Sequence, residues 1–191
     1  ERTRGRGVGG PHRWEQCWEM LEVAVEIFGR GKAGVHLIVG LGETEKEMVE
    51  AIQRAYDLGA ATHLFSFFPE EGTSLDGLGQ PSYGQYRRVQ LARYLVNRGL
   101  GRCEAMSFDA GGRIVGYGVE DAVLEECIRF GEPFMTSGCP GADGRTACNR
   151  PFGNERSGRP IRNYAFEPDV EDVALIRYQL QDYDGFGDGQ R

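Results

Sequence analysis

The 191-residue sequence predicts an α/β fold built on parallel strands. Three observations lead there. Apolar residues recur first at helical spacing and then in short β-branched or continuous runs, and this alternation repeats along the chain. The helical stretches run to roughly 14 residues, long enough for a parallel crossover, and glycine or proline punctuates their ends. Such an alternation is satisfied by an open, doubly wound sheet or by part of a (β/α)8 barrel, and both place ligands at the carboxyl ends of the strands.

Trp14, Cys17, Trp18, Leu21, Ala24, Val25 and Phe28 fall at helical spacing and stop at Gly29, which predicts a long amphipathic helix. A strand over residues 35–41 follows, then a helix over 45–58 with Met48, Ala51, Ile52 and Ala55 inward and Gly59 closing it. Residues 62–68 form a nearly continuous apolar run, the pattern of a parallel strand covered on both faces, and end in Pro69-Glu-Glu-Gly72-Thr73. Beyond a loop with Gly77, Gly79 and Pro81, the spacing predicts a helix over 83–98, a strand near 104–108, a turn at Gly111-Gly112, a short strand over 113–117 and a helix over 120–130. Residues 133–164 are rich in Gly, Pro, Asn, Arg and Cys and show neither period, so they read as a long loop, either functional or disordered. A last helix is expected over 169–181 and a disordered tail over 182–191.

A net charge of -7 argues against general affinity for nucleic acid or acidic membranes, since Arg2, Arg4 and Arg6 are the one notable basic cluster. No apolar run approaches the roughly 20 residues of a membrane span and no signal-peptide pattern is present, so a cytoplasmic location is expected. The chain opens Glu1-Arg2-Thr3 without a methionine and enters a helix quickly, which reads as a fragment.

The candidate binding site is the segment 36–44, His-Leu-Ile-Val-Gly-Leu-Gly-Glu-Thr, where a β-branched run ends in glycines and a helix start. Thr44 and Glu47 make an S/T-x-x-E capping box, a gain of about 1 kcal/mol. Gly40 and Gly42 permit close backbone approach, while Glu43, Glu45 and Glu47 crowd the helix end with negative charge. A polyphosphate would be repelled there, and a ligand with an amino group, hydroxyls or a sulfonium would suit Glu43.

The five cysteines are expected to be thiols or metal ligands rather than disulfides. Cys17 and Cys127 lie on apolar helix stripes and read as core residues, and Cys103 is ambiguous. Cys139 and Cys148 bracket the glycine-rich loop, where backbone amides and Arg145 or Arg150 could stabilise thiolates. A zinc site is disfavoured because His12, His36 and His63 are the only histidines and none is near this loop. An iron-sulfur cluster takes three or four thiolates, so the loop would have to borrow Cys103, Cys127 or another ligand.

Ile38-Val-Gly40-Leu-Gly-Glu43 resembles the fifth-strand I-x-G-x-x-E pattern of the radical S-adenosylmethionine superfamily, with His36 in place of the leading glycine. Leu64-Phe-Ser-Phe-Phe68-Pro69-Glu-Glu-Gly72-Thr73 is similar to its sixth-strand segment beside the adenine. Over residues 14–166 the chain looks most like the biotin-synthase-like branch, including two-protein lipoyl synthases. The resemblance implies the C-terminal half of a (β/α) TIM-type barrel over residues 1–132, holding strands five to eight. It also implies an auxiliary-cluster segment over 133–165, then a C-terminal helix and tail over 166–191.

The implied cofactors are S-adenosyl-L-methionine, a [4Fe-4S] cluster and an auxiliary [4Fe-4S] cluster that donates sulfide. Ile38, Gly40 and Glu43 would orient the methionine or ribose part, and Phe68, Pro69, Gly72 and Thr73 would line the adenine side. Cys139 and Cys148 would hold the auxiliary cluster, under a lid of Asn149, Arg150, Asn154 and Arg156. The implied partners are a reductant such as ferredoxin or flavodoxin, a second radical protein and an octanoylated carrier protein. The superfamily's C-x3-C-x2-C motif occurs nowhere in these 191 residues, so the chain by itself would be inactive. The implied reaction is sulfur insertion into unactivated C–H bonds through a 5′-deoxyadenosyl radical. Two other readings stay open: a radical mutase or maturase without sulfur insertion, and a non-catalytic metal-binding or assembly module.

Overall fold

The computed structural model describes residues 5–143, 146–148, 155 and 158–184. Its elements, in chain order, are α1 (Trp14–Phe28), β1 (Gly34–Val39), α2 (Glu45–Leu58), β2 (Ala61–Ser66), α3 (Tyr83–Asn97), β3 (Ser107–Phe108), β4 (Ile114–Gly116), α4 (Asp121–Phe130), β5 (Cys139–Pro140), β6 (Thr146–Cys148) and α5 (Val170–Leu180). The expected tail lies outside the described residues from 185 onward.

β1 and β2 pair in parallel, with Gly34 opposite Ala61 and Val39 opposite Ser66. This is the expected βαβ unit, with α2 as the crossover. The two-residue period of the strands divides their side chains between two environments. Leu37, Val39 and Leu64 face α2 and α3 and join Met48, Val49, Ile52, Tyr86 and Val89 in the main core. His36, Ile38, His63 and Phe65 line the opposite face, where the His36 ring meets the His63 and Phe65 rings edge-on at 5.2 and 5.1 Å.

The strands expected near 104–108 and 113–117 do not extend the parallel sheet. β3 and β4 pair antiparallel with each other. Their connection is far shorter than the dozen or so residues a parallel crossover requires. The Asp109 carboxylate closes the turn, accepting from the amides of Gly111 and Arg113 at 2.8 and 2.9 Å and from Arg113 Nε at 2.7 Å. The hairpin also finishes α2, since Gly112 O accepts from the Lys46 amide at 2.9 Å. Among the described residues the parallel sheet has two strands and does not close into a barrel.

The described residues of 133–164 carry more order than their composition suggests. A 3-10 turn at Glu132–Phe134 leads into a parallel bridge between Met135 and Tyr164, and β5 and β6 form an antiparallel hairpin. Arg87, fully buried on α3, holds the return segment. Its Nε donates to Gln179 Oε1 at 2.9 Å and Nη1 to Gln90 Oε1 at 2.8 Å, and its guanidinium also reaches the carbonyls of Ile161 and Arg162. Burial lowers its pKa to about 10. Hydrogen bonding therefore orders a stretch in which no apolar period exists.

α1 departs from expectation in a second way. Trp18 and Val25 are buried against Ala55 and Ala60, but Cys17, Trp14, Met20, Ile27 and Phe28 are exposed. The predicted core role of Cys17 is therefore incorrect: the buried side of the helix is that of Trp18 and Val25, and Cys17 is exposed. Cys127 is buried with Leu91, Leu95 and Ile128, as its stripe predicted. No helix among the described residues is long and apolar enough to cross a membrane.

Candidate functional site

The β1–β2 ladder runs one step past the strands, with the Phe67 amide donating to Val39 O at 2.8 Å. The loops 40–43 and 68–73 therefore leave the sheet as neighbours at its carboxyl end. Gly40 and Gly42 take φ of 104° and 102°, which side chains rarely adopt. Between them and α2, the Glu43 carboxylate folds back on its own loop. Its Oε1 accepts from the Gly40 amide at 2.7 Å and its Oε2 from the Leu41 amide at 2.8 Å. Glu43 thus shapes the loop first, and each oxygen keeps a lone pair for a ligand donor.

The predicted crowding of charge at this helix end is largely cancelled within the protein. Glu45 is buried and paired with Arg88 at 2.6 Å, a contact that sequence spacing did not reveal. Glu47 completes the capping box: its carboxylate accepts from the Thr44 amide at 2.8 Å, while Thr44 Oγ1 accepts from the Glu47 amide at 3.1 Å. Those contacts with Thr44 hold the Glu47 carboxyl below its ordinary pKa. Of the three acids, Glu43 alone binds amides of the loop, while Glu43 and Glu47 both border the groove beside it.

A groove of about 440 Å³ along the outer edge of β1 is lined by Trp14, His36, Ile38, Leu41, Glu43 and Met48, among others. It brings Ile38, 44% exposed, together with Glu43. Phe68, Pro69, Gly72 and Thr73 lie outside it, on the neighbouring loop. Phe68 is exposed and free to offer its ring. Thr73 and Gly72 serve their own turn: Thr73 Oγ1 donates to Glu70 O at 2.8 Å, and the Gly72 amide to Asp76 Oδ2 at 3.1 Å.

Pro81 roofs the first loop, since a Cβ on Gly40 would sit 2.5 Å from its Cδ. Arg162 Nη1 donates to Pro81 O at 2.7 Å, and Arg162 Nε pairs with Glu155 at 2.9 Å. Burial raises the Glu155 carboxyl to about 7 despite the two nearby arginines, Arg162 and Arg87. This pair, coupled through Pro81 to Gly40, comes from the aperiodic stretch 133–164, where no motif singles it out. The lid residues Asn149, Arg150, Asn154 and Arg156, like Arg145, lie outside the described residues.

Cys139 and Cys148, nine positions apart in sequence, become direct Cα partners across the β5–β6 ladder. Neither possible helper joins them through its own local structure. Cys127 is in the α4 core, and Cys103 sits against α2, its amide donating to Gln53 Oε1 at 2.9 Å. Burial, the main cause, raises both thiol pKa values and disfavours the thiolates a metal needs. Among the described residues no group of three or more His, Cys, Asp or Glu side chains could hold a metal ion.

At the other end of β2, His63 faces Ser137, with Nδ1 2.8 Å from Ser137 Oγ. Burial, helped by the charges of His36 and Arg93, lowers the His63 pKa to about 4. The unfolded chain protonates this imidazole near 6.5, so it binds more protons than the folded protein between those values. Stability is therefore complete above pH 6.5 and falls as pH drops towards 4. Urea unfolding at pH 5 and pH 7 should differ by about 1–2 kcal/mol from this group after discounting for solvent screening, and His63→Gln should flatten the difference. An unchanged slope in the variant would assign the acid sensitivity elsewhere.

Compared with protein-family models, curated proteins and solved structures, the chain matches none.

Proposed function

We propose that this chain is the C-terminal half of a radical S-adenosylmethionine enzyme of the biotin- or lipoyl-synthase-like kind, which inserts sulfur at unactivated C–H bonds. The parallel β1–β2 pair carries the reading, because it sets loops 40–43 and 68–73 side by side at the carboxyl end of the sheet. Ligands of α/β folds collect at that end. S-adenosylmethionine fits the donor set: Ile38 and Phe68 offer exposed apolar surface, and Glu43, on the loop whose turn Gly40 makes, an anion for its ammonium, ribose hydroxyls or sulfonium. Pro69, Gly72 and Thr73 shape the adenine side. When bound, the cofactor supplies the radical chemistry that removes hydrogen from carbon.

The chain holds no C-x3-C-x2-C motif, so no step is assigned to a radical cluster on these residues. Under this reading Cys139 and Cys148, Cα partners across the β5–β6 ladder, would supply two ligands of an auxiliary [4Fe-4S] cluster. A ferredoxin- or flavodoxin-like reductant, a second radical protein and an octanoylated carrier complete the proposed system.

The test is anaerobic equilibrium binding of S-adenosylmethionine to the full-length, cluster-reconstituted protein, together with iron analysis of the Cys139→Ala/Cys148→Ala double variant. Saturable binding is expected, with a loss of about four irons in the variant and retained cofactor cleavage. Absent binding would replace the radical reading with a non-catalytic module. Unchanged iron would leave a radical enzyme without sulfur insertion.

A further inference from the structure

A second cavity, of about 470 Å³, lies at the opposite end of β2 between the end of α3 and residues 132–138. Its wall contains a buried cation. Arg93 is 7% exposed; its Nη2 donates to Pro133 O at 2.9 Å, but its Nε has no hydrogen-bond partner. The cavity's one carboxylate among the described residues, Glu132, is engaged by Arg98 and by the Tyr94 hydroxyl instead. Glu132 therefore offsets the buried Arg93 charge only from a distance and leaves its Nε without an acceptor, so this wall favours an anion.

One helical turn further on, Asn97 lines the same cavity. Its Nδ2 donates to Thr62 O at 2.9 Å, while its buried Oδ1 has no partner. Residues four apart on a helix are neighbours, with Cβ atoms about 5–6 Å apart. A donor that calls for negative charge and an acceptor that calls for a hydrogen thus lie within reach of one small molecule. His63 and Ser137 satisfy each other at 2.8 Å and complete a polar wall.

We infer that this cavity is a binding site for a small oxyanion carrying its own hydroxyl donor, with the anionic oxygen on Arg93 and the hydroxyl on Asn97 Oδ1. A 2-hydroxycarboxylate and dihydrogen phosphate share that chemistry. The site is separate from loops 40–43 and 68–73 and does not depend on the radical reading.

The experiment is isothermal titration calorimetry of the full-length protein with lactate, inorganic phosphate and acetate, at fixed ionic strength. Lactate or phosphate is expected to bind one-to-one and at least tenfold more tightly than acetate; whichever is tighter identifies the source of the oxyanion. Arg93→Gln should abolish binding. Because that variant removes a buried group, Asn97→Asp provides the second arm: it places a carboxylate at the half-buried acceptor and should weaken binding at least tenfold, with the thermal midpoint reported alongside. Acetate binding as tight as lactate and phosphate, undiminished binding in Asn97→Asp, or no binding of any probe would overturn the inference, the last leaving water as the cavity's occupant.

Discussion

Glu45→Ala should lower the unfolding free energy by about 3–5 kcal/mol, the cost of stripping one partner from a buried ion pair. Glu45 and Arg88 are each 2% exposed, and Arg88 reaches the carboxylate through Nε at 2.9 Å and Nη2 at 2.6 Å. Glu45 Oε2 also accepts from the Ile114 amide at 2.7 Å. One carboxylate therefore joins the start of α2, the middle of α3 and the β3–β4 hairpin. Without it, Arg88 keeps its contacts with Asp182 O and the Tyr183 ring but loses its counter-charge. The double variant Glu45→Leu/Arg88→Leu should be less damaged than Glu45→Ala, because no lone charge remains buried. Urea unfolding of both checks this. A loss under about 1 kcal/mol in the single variant would mean that water replaces the carboxylate, as at exposed pairs.

Gly40→Ala should cost about 2–6 kcal/mol and remove binding at the loop it shapes. Two causes add. A φ of 104° is strained for any residue with a side chain, worth about 1–3 kcal/mol. The new Cβ would also lie 2.5 Å from Pro81 Cδ and 2.9 Å from its Cγ, an overpacking of about 1–3 kcal/mol. Pro81 cannot yield freely, since its carbonyl is held by Arg162. Gly72→Ala separates the causes: its φ is 77°, but nothing lies within 4 Å of the added carbon, so backbone strain alone remains. Gly40→Ala should therefore exceed Gly72→Ala in chemical denaturation, and S-adenosylmethionine affinity should fall more than tenfold in the former. Equal stability losses would show that Pro81 moves aside.

The glycine loop was legible because its signals are local. A β-branched run, two glycines and a capping box are adjacent in sequence, and each acts on the few residues beside it. The pairing of Cys139 with Cys148 was half legible: composition picked out the loop, and β5 and β6 supply the register that makes the two residues opposite. Glu155 and Arg162 gave no usable signal, because a charged residue in an aperiodic stretch reads as solvated. Arg93, Arg87 and Arg88 were hidden for a related reason: on α3 they occupy positions where a helix viewed alone would turn polar groups to water. Their burial depends on residues 132–134, 161–164 and 179–182, which arrive from far along the chain.

By itself the sequence determined the helices, the β1–α2–β2 unit, the glycine turns and the capping box at Thr44, since spacing, propensity and caps act over a few residues. Tertiary structure alone decided that residues 107–116 form a hairpin instead of further parallel strands, that Cys17 faces outward, and that Glu45 and the α3 arginines lie inside. Those outcomes depend on whether a distant segment supplies a counter-charge, a carbonyl or an apolar cover, and no local pattern encodes which distant segment will arrive.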